Sequence, residues 1–143
     1  MTQISAKIIA DSKNEFDNRI TTMIVTFPRY ILAELNTHRM LSKNSASSRA
    51  IPFEKLLKSV EENPFTPIAW MKDHKGMQGN EYFEKNDKIQ LSSDKQVNAI
   101  KHLEQEWLQA RDYAVTQACW LSNKGLTKQI VNRLLEPFMW HTV

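Results

Sequence analysis

The chain has 143 residues, 41% apolar and 24% charged, with 19 Lys and Arg against 16 Asp and Glu. These proportions permit a packed core, exclude global disorder, and leave a net charge of +3, too small to imply a nucleic-acid partner but suited to an anionic small ligand. A single cysteine, Cys119, excludes an intrachain disulfide framework and a cysteine-based zinc cluster, and no apolar run approaches the roughly 20 residues of a membrane span. The expectation is one α+β domain over residues 1–143, soluble and cytoplasmic, with no metal and no membrane partner.

Residues 3–10 read as a strand, with Ile4, Ala6, Ile8 and Ala10 sharing one face by a period of two. Asp11 to Asn18 reads as a polar turn. Residues 19–27, rich in β-branched side chains, read as a second strand, pairing with the first as an antiparallel hairpin. Pro28 opens a short helix over about 29–39, with Ile31, Leu32 and Leu35 inward. After the polar stretch Ser42 to Ser48, Pro52 opens a second helix over about 53–62, with Leu56, Leu57 and Val60 inward. Residues 63–92, punctuated by Pro64, Pro67, Gly76 and Gly79, read as mostly irregular.

The clearest periodicity predicts a long helix over about 94–123. Ser93 and Gln96 suggest a capping box at its start, and Gly125 is the residue expected just past its end. Its tryptophans, Trp107 and Trp120, do not share a face, so a second subunit is expected against one of them. Thr127 then caps a short helix over about 127–135, Pro137 ends it, and 138–143 reads as a strand. This strand lies either at a sheet edge or inside a longer protein.

Chemistry concentrates in residues 34–49. Glu34 and His38 share a helix face at i,i+4, and Arg39 follows beside the helix end. Ser42, Asn44, Ser45, Ser47 and Ser48 then offer short donors, and Arg49 adds a guanidinium fork suited to phosphate. Two arginines and several hydroxyls point to an anionic, oxygen-rich ligand such as a nucleotide, bound in a groove that the loop lines with His38 and Arg39. Elsewhere, His74, His102 and His141 have no His, Asp or Cys neighbours at metal-ligand spacing, and no Ser-His-Asp arrangement follows from spacing. Residues 72–79 read as an ordinary loop or a lid.

The order of residues in 37–49 adds a resemblance. Thr37-His38-Arg39, seven residues, then Ser47 resembles the RHR-x7-S signature of the flavin-dependent thymidylate synthases, the ThyX family. Ser42, Asn44 and Arg49 match further positions of that pattern, and Asn132-Arg133-Leu134-Leu135-Glu136-Pro137 looks like the family's A-R-x-x-L-P element. The chain departs from the pattern at Glu34, Thr37, Ser45, Ser48 and Ala50, where the family has Gln, Arg, Glu, Gly and Tyr. The resemblance covers nearly all of this chain and corresponds to the N-terminal part of the family's longer proteins.

It implies a ThyX-like α+β fold of antiparallel strands with a short signature helix and a long packing helix, lacking the C-terminal half. It also implies methylation of dUMP to dTMP, with FAD as cofactor and methylenetetrahydrofolate and NADPH as co-substrates. By position, Thr37, His38, Arg39 and Ser45 would face FAD, and Glu34, Ser47, Ser48, Arg49 and Arg133 would face dUMP. The family's activating arginine would fall beyond Val143. The implied assembly is a homotetramer, with a separate C-terminal fragment as a further partner. The alternative is a truncated or split relative that keeps the fold and nucleotide binding without catalysis.

Overall fold

The computed structural model describes residues 4–92 and 94–143. Its first two strands form the expected antiparallel hairpin, β1 (Ser5–Lys13) with β2 (Arg19–Pro28). The turn between them closes on Asn14, whose side-chain oxygen accepts from the backbone N–H groups of Phe16 and Asn18. That side-chain turn allows β1 to run through Lys13, three residues beyond the expected end. The register shifts between Ile8 and Ala10. Ile9 is thus a bulge, and Ala10 falls on the face opposite Ile8, where a strict period of two had joined them.

The chain divides into two compact units, Met1–Phe65 with Ala114–Val143, and Thr66–Tyr113. In the first unit the sheet order is β1-β2-β5, with β5 (Trp140–Thr142) antiparallel to Thr26–Pro28 of β2. β5 is therefore an edge strand, as β1 is. A 3-10 turn (Arg29–Ile31) follows Pro28 and leads into α1 (Leu32–Thr37), ending at His38. This replaces the continuous helix over 29–39, and none of its residues is fully buried.

Helix α2 (Phe53–Glu62) lies where expected and buries Leu56 and Val60. These join Phe27, Phe65, Val131, Leu135, Phe138 and Met139 in the core. The rings of Tyr30 and Trp140 meet Phe65 edge-on, 5.2 and 5.3 Å between centroids. Thr127 caps α4 (Lys128–Val131), its side chain accepting from the Gln129 N–H. The chain then tightens into a 3-10 segment, Asn132–Phe138, which carries Pro137 inside it. Pro137 was expected to stop the helix. The tighter winding continues past it because Leu135 and Phe138 are drawn into the core on the same side.

The second unit holds a short antiparallel pair, β3 (Lys88–Gln90) and β4 (Gln96–Asn98), and an isolated bridge, Met71 to Tyr82. The long helix α3 (Ala99–Asn123) begins here and contributes its residues from Ala114 onward to the first unit. It starts five residues later than expected because Gln96–Asn98 is strand. Asn98 takes over the capping, its side-chain oxygen accepting from the Lys101 N–H at 3.0 Å. The expected capping box rested on Ser93, which lies outside the described residues. At the other end the expectation for Gly125 is met. It has φ +83°, and the bonds Gly125 N to Ser122 O and Leu126 N to Leu121 O close a Schellman turn.

Among the described residues, then, the fold is α+β, with antiparallel strands, three short or medium helices and one long one. No helix among them is long and apolar enough to cross a membrane.

Candidate functional site

The segment from Glu34 to Arg49 emerges from α1 and closes back on the last third of the chain. Thr37 terminates α1 by donating its hydroxyl to the Glu34 carbonyl at 2.7 Å. Lys43 then reaches back over the helix end, its Nζ donating to His38 O at 2.6 Å and Leu35 O at 3.3 Å. A lysine in this place satisfies open carbonyls and complements the negative end of the helix. The side chains of Glu34, His38 and Arg39 are exposed.

From Ser45 onward the loop is held from the other side. The Ser45 hydroxyl and His141 Nε2 are in hydrogen-bond contact at 3.0 Å. Ser48 is 2% exposed, and its hydroxyl donates to Glu136 Oε1. Arg29 Nη2 approaches the same carboxylate oxygen at 3.5 Å. Asn132, fully buried, donates its amide to the carbonyls of Ser48 at 2.7 Å and Ile51 at 2.9 Å. Lys128 adds a bond to the Ala50 carbonyl at 3.1 Å. The loop's second half is thus tied to α4, the 3-10 segment and β5 by side chains 78 to 96 residues away in sequence.

These ties bring together two stretches that the sequence singled out separately, 42–49 and 132–137. Arg49 and Arg133 each lie one residue from the Asn132–Ser48 contact. Both are exposed. Arg49 Nη2 makes a long contact to Gln129 Oε1 at 3.5 Å. The carboxylate of Glu136, an obvious i,i+3 partner for Arg133, is instead engaged by Ser48 and Arg29. Ser47 is exposed, with its oxygen turned toward the Arg49 N–H at 3.4 Å.

The groove beside the loop differs from the one expected. It measures about 160 Å³ and lies between β2 and the loop's first residues, lined by Met23, Val25, Leu35, Leu41, Ser42 and Lys43 among others. It is largely apolar, and neither His38, Arg39 nor Arg49 lines it. The expected arginines are therefore absent from this concavity, whose one cationic side chain is Lys43.

His141 was passed over in the sequence because it has no ligand-like neighbour along the chain. In the fold it is 6% exposed and its ring meets Phe27 edge-on at 5.7 Å. Burial, and then the Arg29 guanidinium, push its imidazole below the ordinary value of 6.5, while Glu136 pulls the other way. The balance is a neutral imidazole at pH 7. Asn132, Glu136, Lys43 and Arg29 were likewise missed as parts of this region. Only the quoted element 132–137 gave a signal that two of them mattered. Among the described residues no group of three His, Cys, Asp or Glu side chains is arranged to hold a metal ion.

No family model, curated protein or solved structure matches this chain.

Proposed function

We propose that this protein binds dUMP at the loop that ends in Arg49, in the manner of the flavin-dependent thymidylate synthases. Arg49 and Arg133 would take the 5′-phosphate, and Ser47 with the loop backbone the sugar and pyrimidine. The observation that carries the reading is the clamp between Asn132 and Ser48, at 2.7 Å. It joins the two sequence stretches that the resemblance assigns to one nucleotide site, although 84 residues separate them. Both guanidiniums remain open to solvent there. Forked donors of this kind recognise phosphate with charge-assisted hydrogen bonds.

FAD is the implied cofactor. Of its four assigned residues, Thr37 spends its hydroxyl on the Glu34 carbonyl and Ser45 is engaged with His141. The imidazole of His38 and the guanidinium of Arg39 are exposed and have the donor chemistry that a dinucleotide's phosphates need. These two would hold FAD, which supplies hydride chemistry when bound. Transfer of a methyl group to dUMP from methylenetetrahydrofolate, with NADPH as reductant, and assembly as a homotetramer belong to the same proposal. Ser48 and Glu34, the other assigned dUMP contacts, differ in standing. The Ser48 hydroxyl is spent on Glu136, whereas the Glu34 carboxylate is exposed.

The test is titration calorimetry of the full chain with dUMP and with deoxyuridine. A charge-assisted phosphate contact contributes on the order of 1.5–3 kcal/mol, so Arg49→Ala should weaken dUMP binding by about tenfold or more and leave deoxyuridine unaffected. Arg49→Lys should rescue only in part, because a point charge lacks the fork. Equal dUMP affinity in wild type and Arg49→Ala would sink the assignment. Reconstitution with FAD, read from the flavin absorption bands, tests the cofactor separately.

A further inference from the structure

The loop from Ser42 to Arg49 has little structure of its own. Its internal bonds are few: Ala50 N to Ser47 O at 2.9 Å, and the long Arg49 N to Ser47 Oγ contact at 3.4 Å. Short polar side chains do not pack, and serine-rich backbone carries a high conformational entropy. A loop of this kind presents a fixed set of donors only if something outside it sets its course. Two side chains do so from the 3-10 segment and β5. Glu136 receives the Ser48 hydroxyl, and His141 contacts the Ser45 hydroxyl.

Both partners are themselves fixed. His141 is almost fully enclosed and sits in the strand register opposite Phe27. Glu136 is oriented by Arg29, with about a fifth of each side chain exposed. The atoms through which they act are already engaged, His141 Nε2 with Ser45 and Glu136 Oε1 with Ser48 and Arg29.

We propose that His141 and Glu136 are positioning residues of the nucleotide site, which hold the 42–49 loop at Ser45 and Ser48 and thereby set the direction in which Ser47 and Arg49 meet an anionic nucleotide. This rests on the nucleotide reading for the identity of the ligand, but the holding of the loop is independent of it. The two posts bracket Ser47 and directly precede Arg49, so release of either one frees the donors between them. Asn132 holds only backbone carbonyls, of Ser48 and Ile51, and so fixes where the loop ends rather than how its side chains face.

The arrangement carries a pH dependence. The charged groups facing His141 are Arg29, from the 3-10 turn after β2, and Glu136, from the segment before β5. Phe27 and Ser45 also meet the ring and carry no charge. Protonation of the imidazole puts a second cation beside Arg29 in a desolvated place and turns Nε2 into an obligate donor. The Ser45 hydroxyl can then only accept at this contact, and the repulsion between the two cations loosens the loop in acid.

The test uses the full chain and two readouts. Hydrogen exchange followed by mass spectrometry reports the order of peptides covering 42–51 without ligand, and calorimetry reports dUMP affinity. His141→Phe keeps the ring shape and removes the contact. Glu136→Leu removes the carboxylate. His141→Gln and Glu136→Gln keep a polar group within reach. The expected result is faster loop exchange by about tenfold and at least tenfold weaker dUMP binding in the Phe and Leu variants, with both Gln variants close to wild type. Wild-type loop exchange, corrected for intrinsic pH dependence, should rise below pH 6.5, and His141→Gln should flatten that rise. Protection of α2 reports that the fold is intact. Should His141→Phe or Glu136→Leu fail to fold, Ser45→Ala and Ser48→Ala release the same posts from the loop side. Unchanged loop exchange in the releasing variants overturns the proposal, whatever dUMP does. Faster loop exchange in a chain that binds no dUMP upholds the posts and removes the nucleotide reading instead.

Discussion

The two units of this protein are built on different economies. The first carries twelve Lys and Arg against eight Asp and Glu, the second seven against eight. Of the ten buried apolar side chains among the described residues, nine lie in the first unit and only Ala99 in the second. The contacts within the second unit are between half-buried or exposed side chains. Trp70 meets Trp107 edge-on at 6.4 Å. Lys72 lies 5.4 Å over the Phe83 ring and pairs with Asp87 at 3.1 Å. The solvent-facing Lys72 contacts are worth at most about 1 kcal/mol each, whereas burying a Leu or Phe contributes roughly 1.5–3 kcal/mol. The lesson is that the unit with the core also carries the excess of positive charge and the candidate loop, while the other carries neither.

The comparison breaks most sharply at the core. Leu135 is fully buried, so Leu135→Ala should cost about 2–5 kcal/mol. Trp107 is only half-buried, and Trp107→Ala should cost less despite deleting a larger side chain. Thermal melts of the two variants should order them so. If Trp107→Ala proves the more damaging, the second unit has a core that burial does not reveal.

Next in size is Asn132→Ala. It strands two carbonyls, those of Ser48 and Ile51, in a buried setting, and should cost about 2–4 kcal/mol. Exchange should quicken first in peptides spanning 45–51 and leave those spanning 82–98 unchanged. Equal quickening in both would show that the loop's anchor serves the whole chain.

Acid separates the units by pH rather than by size. His141 has its folded value below 6.5, so the unfolded chain takes up that proton first as pH falls. Its contribution to the first unit is complete above about pH 6.5 and is lost progressively below it. In the second unit Asp87 is held below 3.8, by the Glu84 N–H and then by Lys72, so its contribution is complete above about pH 3.8 and is lost progressively below it. Exchange followed between pH 7.5 and 4.5 should show the first unit weakening earlier, with the effect removed in His141→Gln.

The smallest effects come from a matched pair of glycines. Gly125 and Gly76 have φ of +83° and +90°, and a Cβ at either meets nothing within 4 Å. Alanine there costs only backbone strain, about 1 kcal/mol. Gly125 is fixed by the Schellman bonds and should show the full cost. Gly76 lies in an exposed loop that can yield, and Gly76→Ala should cost less in a denaturant titration.

Much of this protein was legible along the chain. Local signals sufficed for the hairpin, for α2, for the Thr127 cap and for the Gly125 end of the long helix, because each depends on residues within a few positions of one another. The loop from Ser42 to Arg49 announced itself by composition, and the resemblance at Thr37, His38, Arg39 and Ser47 drew attention to the same place. What sequence periodicity misjudged were points where a few residues had two acceptable states. Gln96–Asn98 fit a helix pattern but found a strand partner at Lys88–Gln90, and Ile9 was turned into a bulge by the register against β2.

The sequence by itself determined where the candidate residues are and most of the local elements around them. Only the tertiary structure decided what holds them. Ser45 meets His141 across 96 residues, Ser48 meets Glu136 across 88, and Asn132 reaches the Ser48 carbonyl across 84. No local propensity encodes such pairs. They form because β5 docks beside β2 and Leu135 and Phe138 sink into the core, which sets the polar side chains between those anchors against the loop.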